Sequence, residues 1–196
     1  NQALRTNTTG IQNTASGDSA LYSNTEGNFN TANGVQALYT NVTGVSNTAS
    51  GFQALIFNTT GSSNTASGDG ALFQNTTGDN NTASGRNALY SNITGVLNTA
   101  VGYSALFSNT NGNSNTAVGR EALYLSTTGS NTAVGAQALR ASTIGQGNTA
   151  VGSGALAANI SGDRNVAHGS EAMQANTLGS NNTAIGTLAL SSNVSG

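Results

Sequence analysis

The chain has 196 residues, five arginines but no lysine, seven acidic residues and a formal net charge of -2. Only 6% of its residues are charged, against about 25% in an ordinary globular chain. It contains no cysteine, so it has no disulfide framework, no thiolate metal site and no thiol nucleophile. There is no basic face for phosphates, and no nucleic-acid partner is expected. No apolar run approaches the roughly 20 residues of a membrane span, and no membrane insertion is expected.

Taken in chain order, the sequence is one sentence repeated. Residues 1 to 12 ("NQALRTNTTGIQ") read as the back half of a unit. Units then begin at Asn13, Asn30, Asn47, Asn64, Asn81, Asn98, Asn115, Asn131, Asn148, Asn165 and Asn182, and the last closes at Gly196. Every step is 17 residues except that from Asn115 to Asn131, which is 16. The expectation is a single repeat array over 1–196, a fragment of a longer chain. The short unit should lose its residue in the turn after Gly129.

Numbering each unit from its Asn, column 1 is always Asn, columns 3 and 8 always Ala, and columns 5 and 15 always Gly. Column 2 is Thr except at Val166, and column 9 is Leu except at Met173. Column 13 is always Thr, Val or Ile, whereas columns 6, 7, 11, 16 and 17 vary. All glycines but Gly70, Gly147 and Gly154 fall in columns 5 and 15, so glycine marks corners that need positive φ or close backbone approach. Fixed small residues at a short period are what stacked coils require, because each coil meets only its neighbours. The fold class expected is all-β, a parallel β-solenoid or β-roll with one 17-residue repeat per coil.

Strands stacked about 4.8 Å apart bring equal columns into ladders, favouring Asn–Asn, Thr–Thr and aromatic contacts. The interior is assigned to columns 3, 8, 9 and 13. Stacked α-helices are rejected, since they need apolar residues at three- and four-residue spacings over ten or more positions. A single helical turn at columns 6 to 9 ("FQALIFN") is retained.

Two columns change along the chain. Column 4 runs from Ser16, Asn33, Ser50, Ser67 and Ser84 to Val101, Val118, Val134 and Val151, then His168 and Ile185. Column 10 carries Tyr22, Tyr39, Ile56, Phe73, Tyr90, Phe107 and Tyr124, then Arg140, Ala157, Gln174 and Ser191. Either a second apolar layer moves between faces, or the stripe Tyr22, Tyr39, Phe73, Tyr90, Phe107, Tyr124 packs against another chain.

"NTAVGREALYLSTTG" and "NTASGDGALFQNTTG" resemble the repeats of phage-type tail-fibre proteins that end in an endosialidase-type self-cleaving chaperone domain. "NTAVG" is similar to the "AIG" coil of trimeric autotransporter adhesin heads. The resemblance runs through essentially the whole chain, although 17 residues per coil is longer than the adhesin pattern. It implies a left-handed parallel β-roll, commonly a homotrimer, serving as a shaft or binding head outside the cell or on a virion. No proteolytic residue of the chaperone domain has a counterpart here.

Titratable groups are few. His168, the only histidine, shares column 4 with Val151 and Ile185, and reads as a ladder variant. Asp18, Glu26, Asp69, Asp79, Glu121, Asp163 and Glu171 are scattered over several columns. No catalytic residue, cofactor or metal site is assigned. Asn7, Asn41, Asn58, Asn75, Asn92, Asn159 and Asn193 share column 12 and match the N-x-[ST] glycan acceptor pattern. Asn24, Asn109 and Asn176 hold the same column without it, so the other reading is a turn residue capping its own backbone.

A threonine-rich solenoid also raises ice binding. Columns 13 and 14, being neighbours, point to opposite faces and cannot form one flat hydroxyl face. Column 2, boxed between invariant Asn and Ala, suits a structural ladder. The function expected is mechanical: a non-enzymatic fibre or shaft at the cell surface or on a virion. Its expected partners are its own copies, as a trimer or filament, and a surface receptor or glycan. The alternative is an ice-binding solenoid.

Overall fold

The computed structural model describes residues 2–196. Eleven three-residue strands, β1 (Thr14–Ser16), β2 (Thr31–Asn33), β3 (Thr48–Ser50), β4 (Thr65–Ser67), β5 (Thr82–Ser84), β6 (Thr99–Val101), β7 (Thr116–Val118), β8 (Thr132–Val134), β9 (Thr149–Val151), β10 (Val166–His168) and β11 (Thr183–Ile185), form one parallel sheet in sequence order. Each strand is columns 2 to 4 of its unit. Thr14 pairs with Thr31, Ala15 with Ala32 and Ser16 with Asn33, and the same columns meet at later steps. The chain is therefore a β-solenoid with one coil per repeat.

Among the described residues the rest of each coil turns without helix, and the retained helical turn at columns 6 to 9 is absent. The reason lies in the backbone. Column 9 holds φ between 50° and 53°, from Leu4 to Leu190, and column 7 is also left-handed at Ser19, Gln36 and Gln53. A right-handed helix cannot pass through such residues. For a non-glycine residue this region costs roughly 1–2 kcal/mol. Hydrogen bonds to adjacent coils offset that cost. The Leu72 N–H donates to the Ala88 carbonyl one coil on, while the Gly70 N–H donates to the Phe52 carbonyl one coil back. Each coil is tied in both directions.

The core holds the alanines of columns 3 and 8 and the leucines of column 9. Leu21, Leu38, Leu55, Leu72 and their successors to Met173 are fully buried in one continuous cluster. Column 13 is corrected: Val42, Ile93, Ile160 and Val194 are exposed. Column 12 fills the interior instead, with Asn24, Asn41, Asn58, Asn75, Asn92, Asn109, Asn159 and Asn176 fully buried. An amide can go inside because it meets another amide one coil away, and column 13 is free to point out.

Columns 1, 12 and 15 act as one device. In the coil that starts at Asn64, the side-chain Nδ2 groups of Asn64 and Asn75 both donate to the Gly78 carbonyl, at 2.7 and 3.0 Å. Asn75 Nδ2 also donates to Asn58 Oδ1 at 2.8 Å, and Asn75 Oδ1 accepts from Asn92 Nδ2 at 2.7 Å. Asn64 Oδ1 accepts the Asn81 backbone N–H. A Cβ on Gly78 would overlap Asn75 Oδ1 and the Gly95 carbonyl oxygen, so glycine is needed here for close approach.

The sixteen-residue coil keeps its strand in register, Thr116 with Thr132, but the loss falls before Gly129 rather than after it. Asn115 Nδ2 donates to the Thr128 carbonyl at 2.7 Å, and the Ser130 N–H donates to the Asn113 carbonyl. Thr128 thus stands in column 15 and Gly129 in column 16. The residue lost is that of column 14, exposed in the flanking coils at Asn111 and Ile144. Removing a residue there disturbs neither strand nor core.

Candidate functional site

Two surfaces stand out: the outward face of the sheet and the aromatic row. On the sheet, side chains alternate about the strand plane, so Ala in column 3 points in while columns 2 and 4 point out. Strands β2 to β5 are exposed, buried, exposed in sequence. The threonines of column 2 are therefore not boxed inside; they face solvent together with column 4. In the sequence they read as a structural ladder, and the alternation of strand positions 2, 3 and 4 reveals the face they share with column 4. That face carries no Asp, Glu, Lys or Arg, and His168 is its one ionisable side chain. Its upper strands place Val101, Val118 and Val134 in the open, 39%, 36% and 37% exposed.

The aromatic row stacks on itself. Tyr22 and Tyr39 lie 5.0 Å apart at 11°, and Phe73, Tyr90, Phe107 and Tyr124 form a second run with spacings of 4.7, 5.1 and 5.2 Å. Ile56, buried, separates the two runs, and Phe57 meets Phe73 edge-on. The Arg5 and Arg140 guanidinium groups lie over the rings of Tyr22 and Tyr124. The ring faces are covered by one another, so the row presents its edges outward. An open groove of about 370 Å³ runs beside it, lined by Gln53, Asp69, Gly70, Phe73, Asn87, Tyr90 and Phe107.

Glu121, next to this row, accepts from Arg140 Nε at 2.9 Å and from Gln137 Nε2 at 3.1 Å. The hydrogen bond from Arg140, then that from Gln137, holds the Glu121 carboxyl below its usual range. The carboxylates do not converge: no group of three acidic or histidine side chains able to hold a metal occurs among the described residues. His168 lies exposed on the outer sheet face.

The acceptor asparagines are placed inside. Asn41, Asn58, Asn75, Asn92 and Asn159 are fully buried, with Nδ2 donating to glycine carbonyls. Asn7 and Asn193 are half-buried and make the same bond within their own coils. A sugar on any of the buried five would have to displace the ladder that holds the coils together.

No helix among the described residues is long and apolar enough to cross a membrane. No family model matches the chain, and neither a curated protein nor a solved structure is significantly similar to it.

Proposed function

We propose that this chain is a non-enzymatic structural segment, the stiff shaft of a fibre on a cell surface or virion. The supporting observation is the uniform stack. One strand register runs through all eleven strands, the short coil included. Such an array resists bending through ladders of backbone and Asn bonds, and it lengthens by adding coils. The tail-fibre resemblance agrees with this reading and adds a homotrimer, with variable columns offered to a receptor or glycan. Electron microscopy and sedimentation test it. Duplicating whole 17-residue units should lengthen the rod by about 4.8 Å each at constant width, and the particle mass should be three chains. A monomer removes the trimer, and a length that does not scale with coil number removes the shaft.

A second reading, ice binding, is favoured by the outward sheet face. Its two columns form a regular grid without carboxylates or guanidinium groups, about 4.8 Å between strands and about 6.6 Å along them, a periodic surface that a periodic solid could meet. The two outward columns carry no acidic or basic side chain other than His168, in keeping with a chain of which only 6% is charged. Thermal hysteresis of the purified chain tests this, and its absence removes the reading.

A further inference from the structure

We infer that the ice-contacting surface is the Thr–Val half of the sheet face, strands β6 to β9, and that the Thr–Ser half, β1 to β5, contributes little. The inference rests on the ice-binding reading above and narrows it to eight side chains in two rows, Thr99 to Thr149 and Val101 to Val151.

The two halves share a backbone and differ in side-chain freedom. In β6 to β9 both outward columns are β-branched, paired Thr with Thr and Val with Val at each step. β-Branched side chains have restricted χ1 rotamers, so their methyl groups and hydroxyl oxygens have fewer positions to choose from before contact. Immobilising a mobile side chain at an interface costs about 0.5–1.5 kcal/mol. Eight restricted side chains avoid most of that cost against a solid that cannot adapt to them. In β3 to β5 column 4 is Ser50, Ser67 and Ser84. Serine rotates more freely and hydrogen-bonds liquid water in several geometries, so it does not template one arrangement.

Burial follows the same division. Threonine is exposed in β1 to β5 but half-buried in β6 to β9. The change coincides with valine replacing serine in column 4. The upper half is thus a tighter surface, hydroxyl on one row and methyl on the other. Such a surface suits a partner that is itself neutral, periodic and made of water. Above it the pattern ends with Val166 and His168 in β10, which reverse the order of polar and apolar groups. The sixteen-residue coil belongs to this half, and its missing residue is taken from column 14, which leaves the grid unbroken.

Thermal hysteresis and partition into growing ice should be measured on the full chain and three variants, each checked for an unchanged melting temperature. Thr116→Lys should remove most of the hysteresis, while Thr48→Lys, the same change on the Thr–Ser half, should leave it nearly intact. Ser50→Val with Ser67→Val and Ser84→Val should raise it by extending the restricted rows. Equal losses in the two lysine variants would leave ice binding standing and overturn the assignment to one half. No hysteresis in the parent chain would end the ice-binding reading itself. A parent chain that dimerises through this face, with Thr116→Lys giving monomers, would make a second copy the occupant and overturn both.

Discussion

Column 12 divides the molecule into two kinds of coil. From Asn24 to Asn109 each side chain donates to the Asn one coil earlier and to the glycine carbonyl of its own coil. In the next two coils Ser126 and Ser142 take the position, fully buried, and their hydroxyls have no partner, nor does Asn109 Oδ1. The chain resumes with Asn176 donating to Asn159 at 3.1 Å. Yet strand register does not change across the gap. The backbone ladder and the Ala–Leu core set the fold, and the buried amides add stability to a geometry that stands without them. The interruption coincides with the one coil of altered length, where column 15 is Thr128 rather than glycine.

The largest effect should ignore this division. Leu89 lies in a coil with the Asn ladder and Leu139 in one without it, and both are fully buried in the same core. Leu89→Asp and Leu139→Asp each bury an unpaired charge and should each cost at least about 3–5 kcal/mol. Melting temperatures should fall together. A much smaller loss at Leu139 would mean that the core, too, is weakened in the serine coils.

The next effect should expose the division. Asn75→Ala removes two donated bonds and leaves Asn58 Oδ1 and one Asn92 N–H buried without partners, at a cost of about 1–3 kcal/mol per group. Ser142→Ala removes a hydroxyl that bonds to nothing, and should be neutral or stabilising by up to about 1 kcal/mol. Chemical denaturation of both variants checks this, and similar losses would show that Ser142 is satisfied in solution. Restoring the ladder with Ser126→Asn and Ser142→Asn together should raise stability by about 1–2 kcal/mol, roughly one net hydrogen bond per site. A loss would show that the shortened coil has no room for the amide.

Much of this was legible from column invariance alone. Ala in columns 3 and 8, Leu in column 9 and Gly in columns 5 and 15 announced a stacked coil, its core and its corners. Three features were not legible, each for a physical reason. Asn75 and its equivalents read as turn residues or glycan acceptors because a lone buried amide is costly; only the neighbouring coil's copy makes burial acceptable. Ile93 and its equivalents in column 13 read as interior because they are always Thr, Val or Ile, whereas Ile93 is exposed and the buried amide of Asn92 takes that place. Leu72 at φ 53° is the hardest, since leucine gives no local sign of left-handed backbone. Interactions between coils impose that conformation, and a reading of one coil does not contain them.

The smallest effect concerns Glu121, in the coil where the Asn ladder stops. Here a surface contact spans the break: Arg140 and Gln137 from the following coil both bond its carboxylate, and Arg140 also covers the Tyr124 ring. Because these bonds favour the ionised form, the Glu121 carboxyl titrates below its usual value in the folded chain. Its stabilising contribution is therefore complete above the ordinary carboxylate pKa, and is lost as pH falls through the depressed one. Ion pairs in such open positions contribute about 0–1 kcal/mol, so Glu121→Gln should lower the melting temperature only slightly at pH 7. The gap between parent and variant should then close in acid, and at pH 7 it should narrow with added salt. A gap that persists once Glu121 is protonated would assign the contribution to packing of the side chain against Arg140 rather than to its charge.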